Sequence, residues 1–186
     1  MNKLSKIRLQ KLYEMSYGVS TSKNSAGHGF PFISFSTIFN NFYLPDILED
    51  LMEKTDKQKT ESSVKEGDVL MTRTSETPDE LAYSCVALKD YPDATFSGFA
   101  KRLRTIKRDL VYSKYMAFYF RSPYFRKLIN SYTTMTLRAS FNEHIFSFLD
   151  IFLPTREEQI KIGDFLYSIE EKIKLNNRIN DNLSYR

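Results

Sequence analysis

The sequence predicts an α+β fold: a globular domain over residues 1–153 followed by a long helical arm over residues 154–186. Three observations carry this reading. Short alternating segments rich in Phe, Val and Leu fill the first part of the chain, separated by turn residues. Two helical segments carry their own start signals near Ser122-Pro123 and Ser140. From Arg156 to about Ser184 there is no proline and a single glycine, Gly163, and at 1.5 Å per residue those 29 residues reach roughly 43 Å.

Taken in order, Phe30–Ser36 alternates Phe with smaller residues and reads as a strand. Pro45–Lys54 reads as a short helix, with Pro45 in its first turn and Ile47, Leu48, Leu51 and Met52 on one face. Thr55–Ser63 is polar and reads as a loop. Glu66-Gly67 makes a turn that feeds a strand ending at Thr72, and further strands are expected at Tyr83–Leu88 and Ser97–Ile106. Tyr112 to about Tyr132 is helical, broken where Ser122 caps and Pro123 opens a second helix. Ser140-x-x-Glu143 is a capping box for a short helix that leads to a strand over Asp150–Leu153.

The arm opens with the capping box Thr155-x-x-Glu158 directly after Pro154. Ile162, Leu166, Ile169, Ile173, Asn176, Asn180 and Leu183 then follow spacings of four and three, with Ile179 beside them. That is a heptad seam, and its two Asn positions suit fixing register and partner. It points to a partner helix, and antiparallel pairing of two copies fits closed two-fold symmetry.

Hydrophobic content of 41% and aromatic content of 15% support a substantial core. The one cysteine, Cys85, gives no disulfide framework and reads as a core residue. Charges occupy the N-terminus where a signal peptide needs an apolar run, and no segment has 18 uninterrupted apolar residues, so a cytoplasmic protein without a membrane partner is expected. Net charge is +4, but it is unevenly spread. Lys101–Lys127 carries nine bases against one acid, whereas Asp46–Glu80 carries eleven acids against five bases. A basic face toward a polyanion is the expected consequence.

Enzyme chemistry lacks its parts. Gly27-His28-Gly29 has no third glycine in place, the two histidines have no second ligand at metal spacing, and no nucleophile-elbow motif occurs. No cofactor, metal or catalytic residue is expected. Nucleic-acid chemistry is present instead. Polar loops at Thr72-Arg73-Thr74-Ser75, around Thr136, Arg138 and Ser140, and at Lys23 could meet double-stranded DNA, alongside Lys101, Arg102, Arg104, Lys107 and Arg108.

These residues resemble one family, the specificity subunit of type I restriction–modification systems. Gly29-Phe30-Pro31-Phe32-Ile33 is similar to an early segment of its target recognition domains. Lys65-Glu66-Gly67-Asp68-Val69-Leu70 is similar to its K-x-G-D strand, and Thr134–Ser140 to a late polar loop. Ile151–Ile160 and Leu175–Asn180 resemble the junction into its spacer helix and the helix itself. The resemblance implies a non-catalytic subunit that reads part of a split DNA target. It also implies adenine-methyltransferase (modification) and restriction subunits as partners. With one recognition domain and one spacer helix, the chain resembles a half-subunit, paired as a homodimer through its arm. Two other readings share the seam: an adaptor or decoy that binds modification subunits without reading DNA, and a recognition module of another phage-defence system.

Overall fold

The structure, a computed structural model, describes residues 4–20, 23–75, 80–132 and 139–184. In chain order the elements are β1 (Ser5–Arg8), β2 (Tyr13–Tyr17), β3 (Ala26–Ile33), α1 (Phe35–Asn40), β4 (Leu51–Met52), α2 (Asp56–Glu61), β5 (Val69–Thr72), β6 (Thr74–Ser75), β7 (Ser84–Val86), β8 (Thr95–Phe96) and β9 (Ala100–Thr105). They continue with α3 (Ser113–Tyr119), α4 (Pro123–Tyr132), β10 (Ala139–Ser140), α5 (Glu143–Phe148), β11 (Asp150–Leu153) and α6 (Arg156–Ser184). This is the mixed α+β domain with a long C-terminal helix that the sequence predicts.

An antiparallel sheet in the order β2-β9-β5-β7 organises the domain. Side chains alternate across a strand, so its two faces bury separate clusters. Val69, Met71 and Leu103 face a large core with Leu9, Tyr13, Phe120, Phe125, Phe141 and Ile151. Leu70, Cys85 and Ala100 face a smaller one with Ile33, Ile38, Val64 and Phe96. Burial pushes the Cys85 thiol up to about 12, which keeps it protonated and apolar in character. The first strand returns to the last, β1 pairing antiparallel with β11, so the chain is tied together just before the arm departs.

Local chemistry sets the boundaries. Ser34 caps α1 by accepting from the Thr37 amide, and Ser122 does the same for Phe125 at the head of α4. Gly67 at φ +85° makes the turn into β5, a backbone region costly for other residues. Gly29 at φ +95° lies so close to β4 that a Cβ there would sit 2.8 Å from Glu53 Cα.

Three expectations are corrected. Pro45–Lys54 forms no helix; it is irregular up to β4, where Leu51 and Met52 pair with β3, while Leu48 packs on the smaller core and Ile47 is exposed. Thr55–Ser63 is not a loop: Thr55 and Gln58 form a reciprocal capping box that starts α2. Near Ser140, the cap of α5 is Asn142, whose side chain accepts from the Ile145 amide, while Ser140 belongs to β10.

The arm starts as its capping box predicts, with Glu158 accepting from the Thr155 amide and Thr155 Oγ1 accepting from the Glu158 amide. It packs on α3 through Gly163, where a Cβ would lie 2.7 Å from the Tyr115 amide nitrogen. Gln159 is buried there: its Oε1 accepts from the Tyr112 amide at 3.0 Å and its Nε2 donates to Leu110 O at 2.9 Å. Asp164 accepts from the Tyr112 hydroxyl and from Lys114, which holds its carboxyl below the usual carboxylate range.

Candidate DNA-reading surface and assembly arm

Strand β9 carries Lys101, Arg102 and Arg104, three residues that sequence reading gathers into one basic face. The pleat separates them. Arg102 and Arg104 point with Leu70 to the side where Asp68 lies buried. Arg104 grips Asp68 with two hydrogen bonds, Nε at 2.9 Å and Nη2 at 2.7 Å, and also donates to Ser63 O. Arg102 donates to Ser63 O beside it, and its burial lowers its pKa. Asp68 also accepts from the Lys65 amide, so the Lys65–Asp68 motif closes its own turn and anchors two arginines. Thr72 is buried as well, its hydroxyl donating to Glu80 O and accepting from the Tyr83 amide. Arg104 and Thr72 thus spend their polar groups within the fold, and Arg102 is 7% exposed, so this face presents little of the basic surface that the sequence suggests.

Lys101 points the other way, with Met71 and Leu103. It is 1% exposed, and its Nζ lies 2.9 Å from the centroid of the Tyr17 ring on β2. The Tyr17 hydroxyl donates to Glu143 Oε1, in the first turn of α5, at 2.7 Å. The exposed Arg73 guanidinium lies 6.0 Å from the same ring, and the Arg73 amide donates to Phe99 O at 2.7 Å. Burial, reinforced by Arg73, lowers the Lys101 pKa to about 8, while Glu143 opposes that shift. Pairing of β6 with β10 brings Thr74 opposite Ser140 at this end of the sheet. Arg73, Thr74, Ser140, Lys101, Tyr17 and Glu143 thus form one cluster.

Lys107 and Arg108 do not join it. They follow the far end of β9, six residues from Lys101, which is roughly 20 Å at strand rise. There Arg108 donates to Glu66 O. The side chains of Lys23 and Ser75, and Thr136 and Arg138 entirely, lie outside the described residues. Sequence reading missed Tyr17 and Glu143, because nothing local marks residues that matter through partners about 80 and 126 positions away.

On the arm, Gln159, Gly163, Tyr167 and Lys174 face the domain, with Tyr167 edge-on to Tyr43 and the Lys174 ammonium over the Tyr43 ring. Ile162, Ile169, Ile173, Ile179 and Leu183 are exposed, as is Phe165 at 65%. Asn176 and Asn180 share their exposure. At 3.6 residues per turn this second stripe lies about a third of a turn from the domain-facing one. Leu166 falls between the stripes and lines an open apolar groove of about 590 Å³ with Leu4, Tyr115, Tyr119, Tyr124 and Phe152. Phe165 belongs to the exposed stripe and was missed because a first step of four from Ile162 passes over it.

The structure is thus a mixed α+β domain with a cation–aromatic cluster at one end of its sheet, followed by a long helix with an exposed apolar stripe. The chain belongs to the family described as the type I restriction modification DNA specificity domain, whose family model matches residues 6–185. Solved structures give the same fold. The type I S subunit from M. genitalium superposes with a TM-score of 0.65 at 12% identity, covering 93% of this chain and 40% of that one. The HsdS subunit from Thermoanaerobacter tengcongensis gives 0.60 at 17% identity, covering 94% and 39%. A structure described as showing complex assembly and conformational transition of the type I R-M system gives 0.62 at 17%, covering 94% and 40%. The chain therefore spans about two fifths of the length of the solved chains it matches. No curated protein matches it. Among the described residues, no helix is long and apolar enough to cross a membrane.

Proposed function

We propose that this chain is a non-catalytic DNA-specificity module of a type I restriction–modification system. It reads one part of a split target with the domain over residues 1–153. It assembles with a second copy, and with modification and restriction subunits, through the arm over residues 154–186. The observation that carries the reading is the second stripe of α6. One helical face is already satisfied by α3 and Tyr43, yet Ile162, Phe165, Ile169, Ile173, Ile179 and Leu183 remain in solvent. A helix that only completed its own domain would not leave a second, apolar stripe of this length in solvent. Antiparallel pairing about Ile173 sets Leu183 of one arm near Ile162 of the other and covers the whole stripe. The groove beside Leu166 continues that surface.

Target reading falls to Arg73, Thr74 and Ser140, with the Tyr17 ring and Gly98 O beside the Arg73 guanidinium and Lys101 packed beneath on Tyr17; Lys23, Ser75, Thr136 and Arg138 are the flanking candidates. Methyl transfer and cleavage belong to the partner subunits. Light scattering tests the assembly: the chain runs at twice 21.9 kDa, and Ile169→Asp/Ile173→Asp runs at the single mass. A single mass for the unaltered chain at all concentrations rejects self-pairing. DNA selection from a random duplex pool tests the reading; no enrichment would leave the adaptor reading in its place.

A further inference from the structure

The sheet face that holds Lys101 and Tyr17 does not stop at their cluster. Phe99 is two residues before Lys101, and it stands beside Arg73, whose amide donates to Phe99 O at 2.7 Å. The register of β5 and β9 continues to this bond, so Phe99 and Arg73 stand opposite each other just beyond the Met71–Lys101 and Thr72–Ala100 pairs, at the same end of the sheet. Phe99 is 60% exposed, an apolar ring in solvent beside the exposed Arg73.

The turn that presents it is held unusually firmly. The Gly98 amide donates to Val19 O at 2.8 Å, the Val19 amide to Phe96 O at 2.9 Å, and the Phe99 amide to Ser97 Oγ at 3.2 Å. Gly18 lies so close beneath that a Cβ would sit 2.1 Å from Ser97 O. Exposed aromatic side chains at loop tips normally gain by folding back onto the surface. Here these contacts hold the backbone of the turn, and the ring it carries is exposed.

We propose that Phe99 is a specificity-determining residue that makes the apolar contact to base surfaces, a thymine methyl or the face of a base step, while Arg73 beside it makes the polar one. This rests on the DNA-reading function proposed above. Groove readers pair cationic side chains with apolar ones for this purpose: cations draw the phosphates, and an apolar ring gains from bases but not from the backbone. A turn whose backbone is already held adds selectivity, since less ordering is needed when it meets its target.

The test uses the full chain and duplexes that the unaltered chain selects from a random pool, compared with unselected duplex. Phe99→Ala should lower affinity for the selected duplex about tenfold, the cost of one lost base contact. Affinity for unselected duplex and the salt slope should stay unchanged, because no charge is removed. Phe99→Leu, which keeps an apolar tip, should retain part of the preference and controls for folding. Equal loss on both duplexes, or no loss on either, overturns the inference while leaving DNA reading intact. Failure of the unaltered chain to enrich any duplex overturns both together, which separates the two cases.

Discussion

Asp68 shows how much one carboxylate can organise. It is 1% exposed and sits between Arg104 and Arg102 of β9 and the Lys65 amide, so a strand and a turn are tied together through it. Removing a partner from a buried charge set leaves the others uncompensated. Asp68→Ala should therefore destabilise the domain by about 3 kcal/mol, measured by urea denaturation, with no change in the arm's self-association. Lys101 makes the opposite demand. Its folded pKa, about 8, is below the ordinary lysine value. The unfolded chain therefore binds more protons between about pH 8 and 10.5, and this residue's contribution to stability rises with pH across that window. Lys101→Met should remove that rise, as followed by thermal unfolding at several pH values. At Arg73, alanine should cost about 1–3 kcal/mol on the selected duplex and far less on unselected DNA, measured by titration.

At the scale of elements, the helices and strands with strong local signals were legible. The Thr155–Glu158 box, the Ser122-Pro123 break and the Gly67 turn announce themselves within a few residues, and each appears where expected. Pro45–Lys54 misled because its i, i+3 and i+4 apolar pattern is equally served by an irregular segment lying on β3. The basic run failed for a related reason. Charge along a sequence says nothing about side, and a strand sends alternate residues to opposite faces. Lys101 and Arg102 are neighbours in the chain and belong to different sites. The arm was read correctly as a helix, but its two stripes could not be separated without knowing that α3 and Tyr43 take one of them. Gly163 is the hinge of that arrangement. Gly163→Val should push α6 off α3 and cost about 1–3 kcal/mol of stability by overpacking, visible as a lowered melting temperature.

For the whole molecule, the two ends of the central sheet have different tasks. Arg73, Lys101, Tyr17 and Phe99 gather at one end; Lys107 and Arg108 lie at the other, near the root of the arm. If the reading end alone meets DNA, Lys107→Ala/Arg108→Ala should leave the salt dependence of DNA binding unchanged, whereas each phosphate-contacting cation lost at the reading end should reduce the slope by about one. Parallel titrations at several salt concentrations give the comparison directly.

The Asp68–Arg104 strut has a consequence for how such a protein can diversify. It clamps the sheet from the side that faces away from Arg73 and Phe99. Residues at the tip can thus be exchanged one at a time without loosening the strut or the packing of α6. On the proposed function, that separation lets a lineage acquire a new target while keeping its assembly, and lets a laboratory graft tips between relatives on the same terms. A one-residue insertion within β9 is the change this design does not tolerate, because it would turn the strut outward and bury the reader.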